Sequence, residues 1–307
     1  MCPTWSARAP MRTIARTVPT FGLVLAMTLA MTVGSTAQEA KLSVVAAENF
    51  YGDIAQQIGG KLVDVVSIMS NPDQDPHLFE TTPTGIRQVG AARVVIFNGA
   101  DYDPWMNKLL SATPRAGRIV VNVAELVGTK SGANPHLWYA PATIPAVAKA
   151  LAGAFSKADA PHAADYASRQ KAFEASLTGL NKKIDEIRAK YVGTVVTATE
   201  PVFGYMVSAL GLKMRNERFQ LAVMNDTEPS ARDIAAFERD LKEHKVRLLF
   251  YNKQASTKLT QRMLEVARSS NIQVVGVTET QPAGVNYQDW MLMQLDEVEK
   301  ALANPPA

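Results

Sequence analysis

From Leu42 onward, short runs rich in Val and Ile alternate with stretches whose apolar positions recur at helical spacing. Residues 42–47, 62–69, 93–98 and 118–121 are bounded by Gly, Asn or Pro and read as buried strands. Between them, residues 50–58, 84–90 and 105–110 read as helices, and 142–156 is a further helix. A βαβα rhythm of this kind predicts a mostly parallel sheet covered by helices.

The most distinctive stretch runs from Pro161 to about Tyr191. Its apolar positions are Tyr166, Phe173, Leu177, Leu180, Ile184, Ile187 and Tyr191, which after the first gap step by four and three and so share one helix face. Pro161 suits a first helical turn, where its missing N–H leaves no bond unmade. At ~1.5 Å per residue such a helix would be roughly 45 Å long. Beyond it the α/β pattern resumes. Residues 194–197, 247–251 and 273–277 read as strands, and 202–210, 231–244, 258–269 and 287–302 as helices. Thr227, Pro229 and Ser230 give the helix at 231 a capped start. The expectation is an α/β protein of two parallel-sheet lobes joined by one long helix. Its divisions would be a leader at 1–37, an N-terminal lobe at 38–160, the linking helix at 161–192 and a C-terminal lobe at 193–307.

The leader changes the reading of composition. Arg8, Arg12 and Arg16 precede an apolar run at 21–33 and the small, polar Gly34-Ser35-Thr36-Ala37, the pattern of a secretory signal peptide. The apolar run falls well short of the ~20 residues of a membrane span. Met11 offers an alternative start with a more compact leader. The only cysteine, Cys2, would leave with the leader, so no disulfide, thiolate ligand or lipid-accepting cysteine is expected in the exported chain. Three of the 32 basic residues lie in the leader, which leaves 29 against 29 acidic ones. The formal charge of +3 therefore belongs to the leader, and no polybasic run argues for nucleic acid or an anionic membrane as partner.

Candidate chemistry centres on histidine. Of the four histidines, His162 and His244 sit in polar, charged surroundings and read as solvated surface. His77 and His136 differ, since each follows a proline that follows Asp or Asn: Asp75-Pro76-His77 and Asn134-Pro135-His136. Proline fixes its own φ and biases its neighbour toward extended backbone, which makes a stiff loop fit to hold a ligand before a metal arrives. Turn histidines that merely close loops are the plainer alternative. Thr199-Glu200 and Thr278-Glu279 each follow a predicted strand of the second lobe, where carboxylates serve as metal or substrate ligands or as helix-start acids. The chain has no HExxH, CxxC, GxGxxG or Ser-His-Asp pattern.

These motifs resemble the metal-specific class of periplasmic solute-binding proteins, the cluster A-I type, that serve zinc- and manganese-uptake ABC transporters. The likeness covers nearly all of the chain beyond the leader. Its strongest pieces are Asp75-Pro76-His77-Leu78-Phe79-Glu80 with Thr82-Pro83, and Asn134-Pro135-His136-Leu137-Trp138. Glu200-Pro201-Val202-Phe203-Gly204-Tyr205 and Val277-Thr278-Glu279-Thr280 are softer matches. The resemblance implies metal ligands at His77, His136, Glu200 and Glu279, two from each lobe, and a long helix between the lobes. It also implies a monomer in the periplasm that catalyses nothing, carries one zinc or manganese ion as cargo and hands it to an ABC permease with its ATPase. The chain departs from the pattern in three places. The loop at 127–133 lacks a histidine-rich insert, Ala140 stands where an aspartate is common, and Glu279 stands where Asp is more usual. Asp226 and Glu228 are the alternatives to Glu279.

Two imidazoles and two carboxylates make a borderline-to-hard donor set. At equal geometry zinc binds more tightly than manganese, whereas carboxylates that chelate through both oxygens raise the coordination number toward manganese. The choice between the two metals stays open at this level. The rival readings are a metallohydrolase with Glu200 or Glu279 as general base, which needs a vacant coordination position, and a binder of an organic solute.

Overall fold

The computed structural model describes residues 40–71 and 79–304, with positions 13 and 15 in addition. The expected leader and the Asp75-Pro76-His77 motif lie outside the described residues.

In the first lobe the apolar runs become β1 (Leu42–Glu48), β2 (Val63–Met69), β3 (Val94–Phe97) and β4 (Ile119–Asn122), a parallel sheet in the order β2-β1-β3-β4. Alternate residues of a strand face opposite ways, and both faces of this sheet are covered. Val44, Ala46, Val94 and Ile96 pack with α1 (Asn49–Gly59) and α5 (Thr143–Ala158). Val45, Ala47, Val95 and Phe97 pack with α2 (Pro83–Ala91) and α3 (Pro104–Ala112). The short α4 (Val123–Val127) follows β4 and ends at Gly128, whose φ of 74° is the left-handed turn that glycine favours.

The predicted linking helix begins with a 3₁₀ turn at Ala160–His162 and continues as α6 (Ala163–Ser176) and α7 (Thr178–Tyr191). The interruption at Leu177 is slight, because that residue keeps helical dihedrals (φ −75°, ψ −7°). Its cause is local. The Ser176 and Thr178 hydroxyls donate to the carbonyls of Phe173 and Ala175, and the Leu177 N–H bonds Glu174 three residues back. Hydroxyls that compete for helix carbonyls tighten the turn in this way. The predicted face is the buried one: Tyr166, Phe173, Leu177, Leu180, Ile184 and Ile187 all lie in the core.

The second lobe repeats the topology of the first. Its strands are β5 (Val195–Ala198), β6 (Lys213–Arg215), β7 (Leu248–Asn252) and β8 (Gln273–Val277), parallel and in the order β6-β5-β7-β8. Strand β6 is absent from the sequence reading because Lys-Met-Arg offers no apolar run; it is a three-residue edge strand with exposed charges. The helices are α8 (Gly204–Ala209), α9 (Glu217–Met224), α10 (Ala231–Lys242), α11 (Lys258–Ser269) and α12 (Tyr287–Ala303). Ser230 caps α10 by accepting the Asp233 N–H, as its position predicts.

One apolar core runs from the inner face of the first sheet, through α6, α7 and α12, to the inner face of the second. Aromatic rings carry it between the lobes. Phe50 stacks on Trp138 at 4.5 Å, and Tyr139 meets Phe203 edge-on at 4.9 Å and Trp290 at 5.7 Å. Hydrogen bonds reinforce the join: Tyr139 Oη donates to Thr278 O (2.6 Å), Tyr287 Oη to Trp138 O (2.6 Å) and Asn49 Nδ2 to Gln281 O (2.7 Å).

Candidate metal centre

In a parallel sheet, ligands bind beyond the carboxyl ends of the strands, in the crevice where strand order reverses. Each lobe has that point between its central strands, β1 and β3 in one and β5 and β7 in the other. Of the predicted site residues, His136, Glu200 and Glu279 collect there.

His136 sits in the loop after α4 and is 0% exposed. Its Nδ1 lies 2.6 Å from Asn134 Oδ1, an acceptor, so Nδ1 carries a proton and the lone pair of the neutral ring falls on Nε2. The Asn134 amide is held in that orientation because its Nδ2 donates to Pro201 O at 2.7 Å. Asn134 Oδ1 also accepts the His136 backbone N–H at 3.1 Å. A fixed tautomer with the other ring nitrogen available is what a ligating imidazole needs. Among the described residues the buried His136 Nε2 has no hydrogen-bond partner. It faces Glu279 Oε2 of the other lobe at 3.4 Å.

Glu279 and Glu200 are 0% and 5% exposed. Burying a carboxylate is expensive unless it is paired, hydrogen-bonded or bound to a cation. Glu200 precedes a 3₁₀ turn at Pro201–Phe203 but makes no capping bond from its side chain. Its position is that of a helix-start acid, but its side chain does no capping. Its side chain turns to Asn252 Nδ2, which also donates to Glu279 Oε1 at 2.7 Å. Gln254, two residues on, accepts the N–H groups of Glu279 and Thr280, which orients the Glu279 loop. Asp226 and Glu228 are both exposed, which leaves Glu279 as the carboxylate of this lobe that faces His136. His77 lies outside the described residues. Among the described residues no three His, Cys, Asp or Glu side chains form a ready-made cluster for a metal ion. His162 is paired with Asp159 at 2.9 Å on the surface, and His244 is exposed at the end of α10, as predicted.

The sequence reading missed a second group. Tyr102 is buried near the Glu279 carboxylate, and burial and then that charge raise its hydroxyl well above the usual range. Behind it lie Glu48 and Asp103, two buried neighbouring carboxyls. Burial, and then the neighbouring Asp103, push Glu48 well above the usual carboxylate range. Burial raises Asp103 to about 6, opposed by the N–H groups of Gly99 and Asn98 that donate to it. Asn252 and Gln254 had a weak signal, two polar residues at alternate positions closing an apolar strand. Glu48 and Asp103 had none, since a lone acid at a strand or helix end is ordinary in sequence.

Residues 44–301 match the family model described as zinc-uptake complex component A, periplasmic (ZnuA). The chain belongs to the ZnuA family. The high-affinity zinc uptake system protein ZnuA of Bacillus subtilis (strain 168) is 24% identical over 260 residues, 77% of this chain and 80% of that one. The manganese-binding lipoprotein MntA of the same organism is 27% identical over 240 residues, 74% of this chain and 76% of its own. Among solved structures, the periplasmic zinc binding protein TroA from Treponema pallidum superposes with a TM-score of 0.73 at 20% identity, covering 86% of this chain and 100% of TroA. That likeness establishes the two-lobe fold with its connecting helix. ZnuA-family proteins are extracytoplasmic components of uptake systems. No described helix of this member is long and apolar enough to cross a membrane.

Proposed function

We propose that this protein captures one divalent transition-metal ion, zinc or manganese, in the periplasm and delivers it as cargo to the permease of an ABC importer, acting as a monomer and without catalysis. The donors are His77 and His136 from the first lobe and Glu200 and Glu279 from the second. The lobes correspond to 38–160 and 193–307, with the helix at 161–192 between them. The observation that carries this reading is the buried pair His136 Nε2 and Glu279 Oε2, which face each other across the lobe boundary at 3.4 Å. A lone-pair nitrogen and a carboxylate oxygen share no proton when the imidazole is neutral, and both are donors a cation between them would bind.

Because each lobe supplies donors, the metal ties the lobes together and stabilises the fold by linkage. The continuous core and the linking helix limit how far the lobes can swing, so small-angle scattering should show little compaction on loading. Binding should weaken in acid, since imidazole must be neutral to coordinate. The test is metal analysis of protein purified without added metal, followed by titration of metal-stripped protein. One equivalent of zinc or manganese bound tightly supports the reading; no tight binding of either overturns it.

A further inference from the structure

Asn252 stands between the two carboxylates of the second lobe and is 1% exposed. Its Nδ2 donates to Glu200 Oε2 and to Glu279 Oε1. The amide is not free to turn round, because its Oδ1 accepts the Gln254 N–H at 3.0 Å. Its backbone N–H is anchored on Thr199 Oγ1 at 3.2 Å. An amide nitrogen has two hydrogens, and here one goes to each carboxylate. Each carboxylate has two oxygens and gives one of them to Asn252. The oxygen that Glu279 keeps is Oε2, the one facing His136 Nε2 at 3.4 Å.

We propose that Asn252 is a specificity-determining residue: by holding one oxygen of each carboxylate, it makes both bind through a single oxygen, and so favours zinc over manganese. The inference rests on the donor set proposed above. Two imidazole nitrogens and two single carboxylate oxygens make a closed four-coordinate site, the arrangement zinc takes in non-catalytic sites. Were both carboxylates to chelate through two oxygens, the same side chains would offer six donors, the number manganese favours. Zinc outranks manganese at matched geometry, and Asn252 adds a geometric preference of the same sign.

The test uses the full exported chain, metal-stripped, with Zn²⁺ and Mn²⁺ affinities measured by chelator competition. X-ray absorption of the zinc form gives its coordination number. The wild type should show four ligands to zinc. Asn252→Ala and Asn252→Ser should each narrow the zinc-over-manganese affinity ratio by ~10-fold or more, the scale of effects from residues that orient metal ligands. An unchanged ratio in either folded variant overturns the proposal, as does a wild-type zinc site with five or more protein ligands. The wild-type coordination number decides even if both variants fail to fold. His136→Ala separates the two readings. If it abolishes tight zinc binding while the Asn252 variants keep the wild-type ratio, the donor set stands and the role of Asn252 falls. If His136→Ala keeps wild-type zinc affinity, the donor set itself falls.

Discussion

The two lobes carry the same pair of residues at the same place and use it differently. In the first sheet Ala46 is in register with Ile96, so Glu48 falls level with Asn98; in the second, Ala198 is in register with Phe250, so Glu200 falls level with Asn252. Each Glu-Asn pair thus sits at the switch point of its sheet. In the second lobe the Asn donates to the Glu and to Glu279, and both carboxylates are presented to the centre. In the first lobe the Asn turns away from the Glu. Asn98 Nδ2 donates to Pro135 O (2.8 Å), which steadies the loop before His136, and its Oδ1 accepts Tyr51 Oη (2.8 Å). Glu48, left against Asp103, is pushed toward its neutral form. On the proposed donor set, one topology yields a lobe whose acids serve as ligands and a lobe whose acids serve as scaffold, and the difference lies in what each Asn faces. The first lobe also has a cramped turn. Gly99, Ala100 and Asp101 are all left-handed, with φ of 73°, 49° and 65°. Such backbone costs roughly 1–2 kcal/mol per non-glycine residue. It is tied down by Asp101 Oδ2, which accepts from Ser131 Oγ and from the Gly132 N–H at 2.9 Å.

This comparison breaks most visibly at the ligands. Glu200→Ala, at the ligand position of its pair, should lower zinc affinity by more than ~100-fold, beyond the range typical of outer residues. Glu48→Ala, at the matching scaffold position, should leave affinity within ~10-fold, well inside that range. Equal losses in calorimetric titration would erase the distinction. The Asn pair gives the next effect. Asn98→Ala leaves the Tyr51 hydroxyl without its acceptor, at ~1–3 kcal/mol, and the Pro135 carbonyl with only the Leu137 N–H. It should therefore lower the melting temperature of the metal-free protein by several degrees and leave the zinc-to-manganese ratio unmoved, the reverse of the Asn252 variants.

The smallest effect is in pH. A carboxyl whose native pKa lies above its unfolded one binds more protons in the native state between the two values, so stability falls as pH rises through that window. For Asp103 the window runs from the ordinary 3.8 to about 6, and burial moves Glu48 in the same direction. Metal-free protein should lose stability as pH rises from ~4 to ~6 on this account. Glu48→Gln should be more stable than wild type at neutral pH and little different near pH ~4, where the wild-type acid is already neutral. A variant that gains equally at both pH values would show that packing, not titration, is responsible.

Much of the fold was legible because buried parallel strands leave continuous Val and Ile runs and the linking helix leaves an unbroken four-three spacing. What escaped was structure too short to show a period, namely β6, α4 and α9, and the hydroxyl-driven break at Leu177. Of the centre, Asn134-Pro135-His136 was readable because proline marks a stiff loop. Glu200 and Glu279 were readable only as acids at strand ends, and the resemblance singled them out. Asn252 was readable only weakly, and Tyr102 and the Glu48–Asp103 pair not at all, since their partners lie far away in sequence. Strand register alone brings Asn252, 52 residues along the chain, against Glu200.

The central claim is a metal site shared between lobes, and zinc-dependent thermal stabilisation tests it most directly. Wild type, His77→Ala/His136→Ala and Glu200→Ala/Glu279→Ala would be melted with and without excess zinc. A tightly bound ion at ~1,000 times its Kd stabilises by ~4 kcal/mol, a shift of many degrees. The account predicts a large shift in the wild type and its loss in both double variants, each of which still folds. Full retention of the shift in either variant would contradict it.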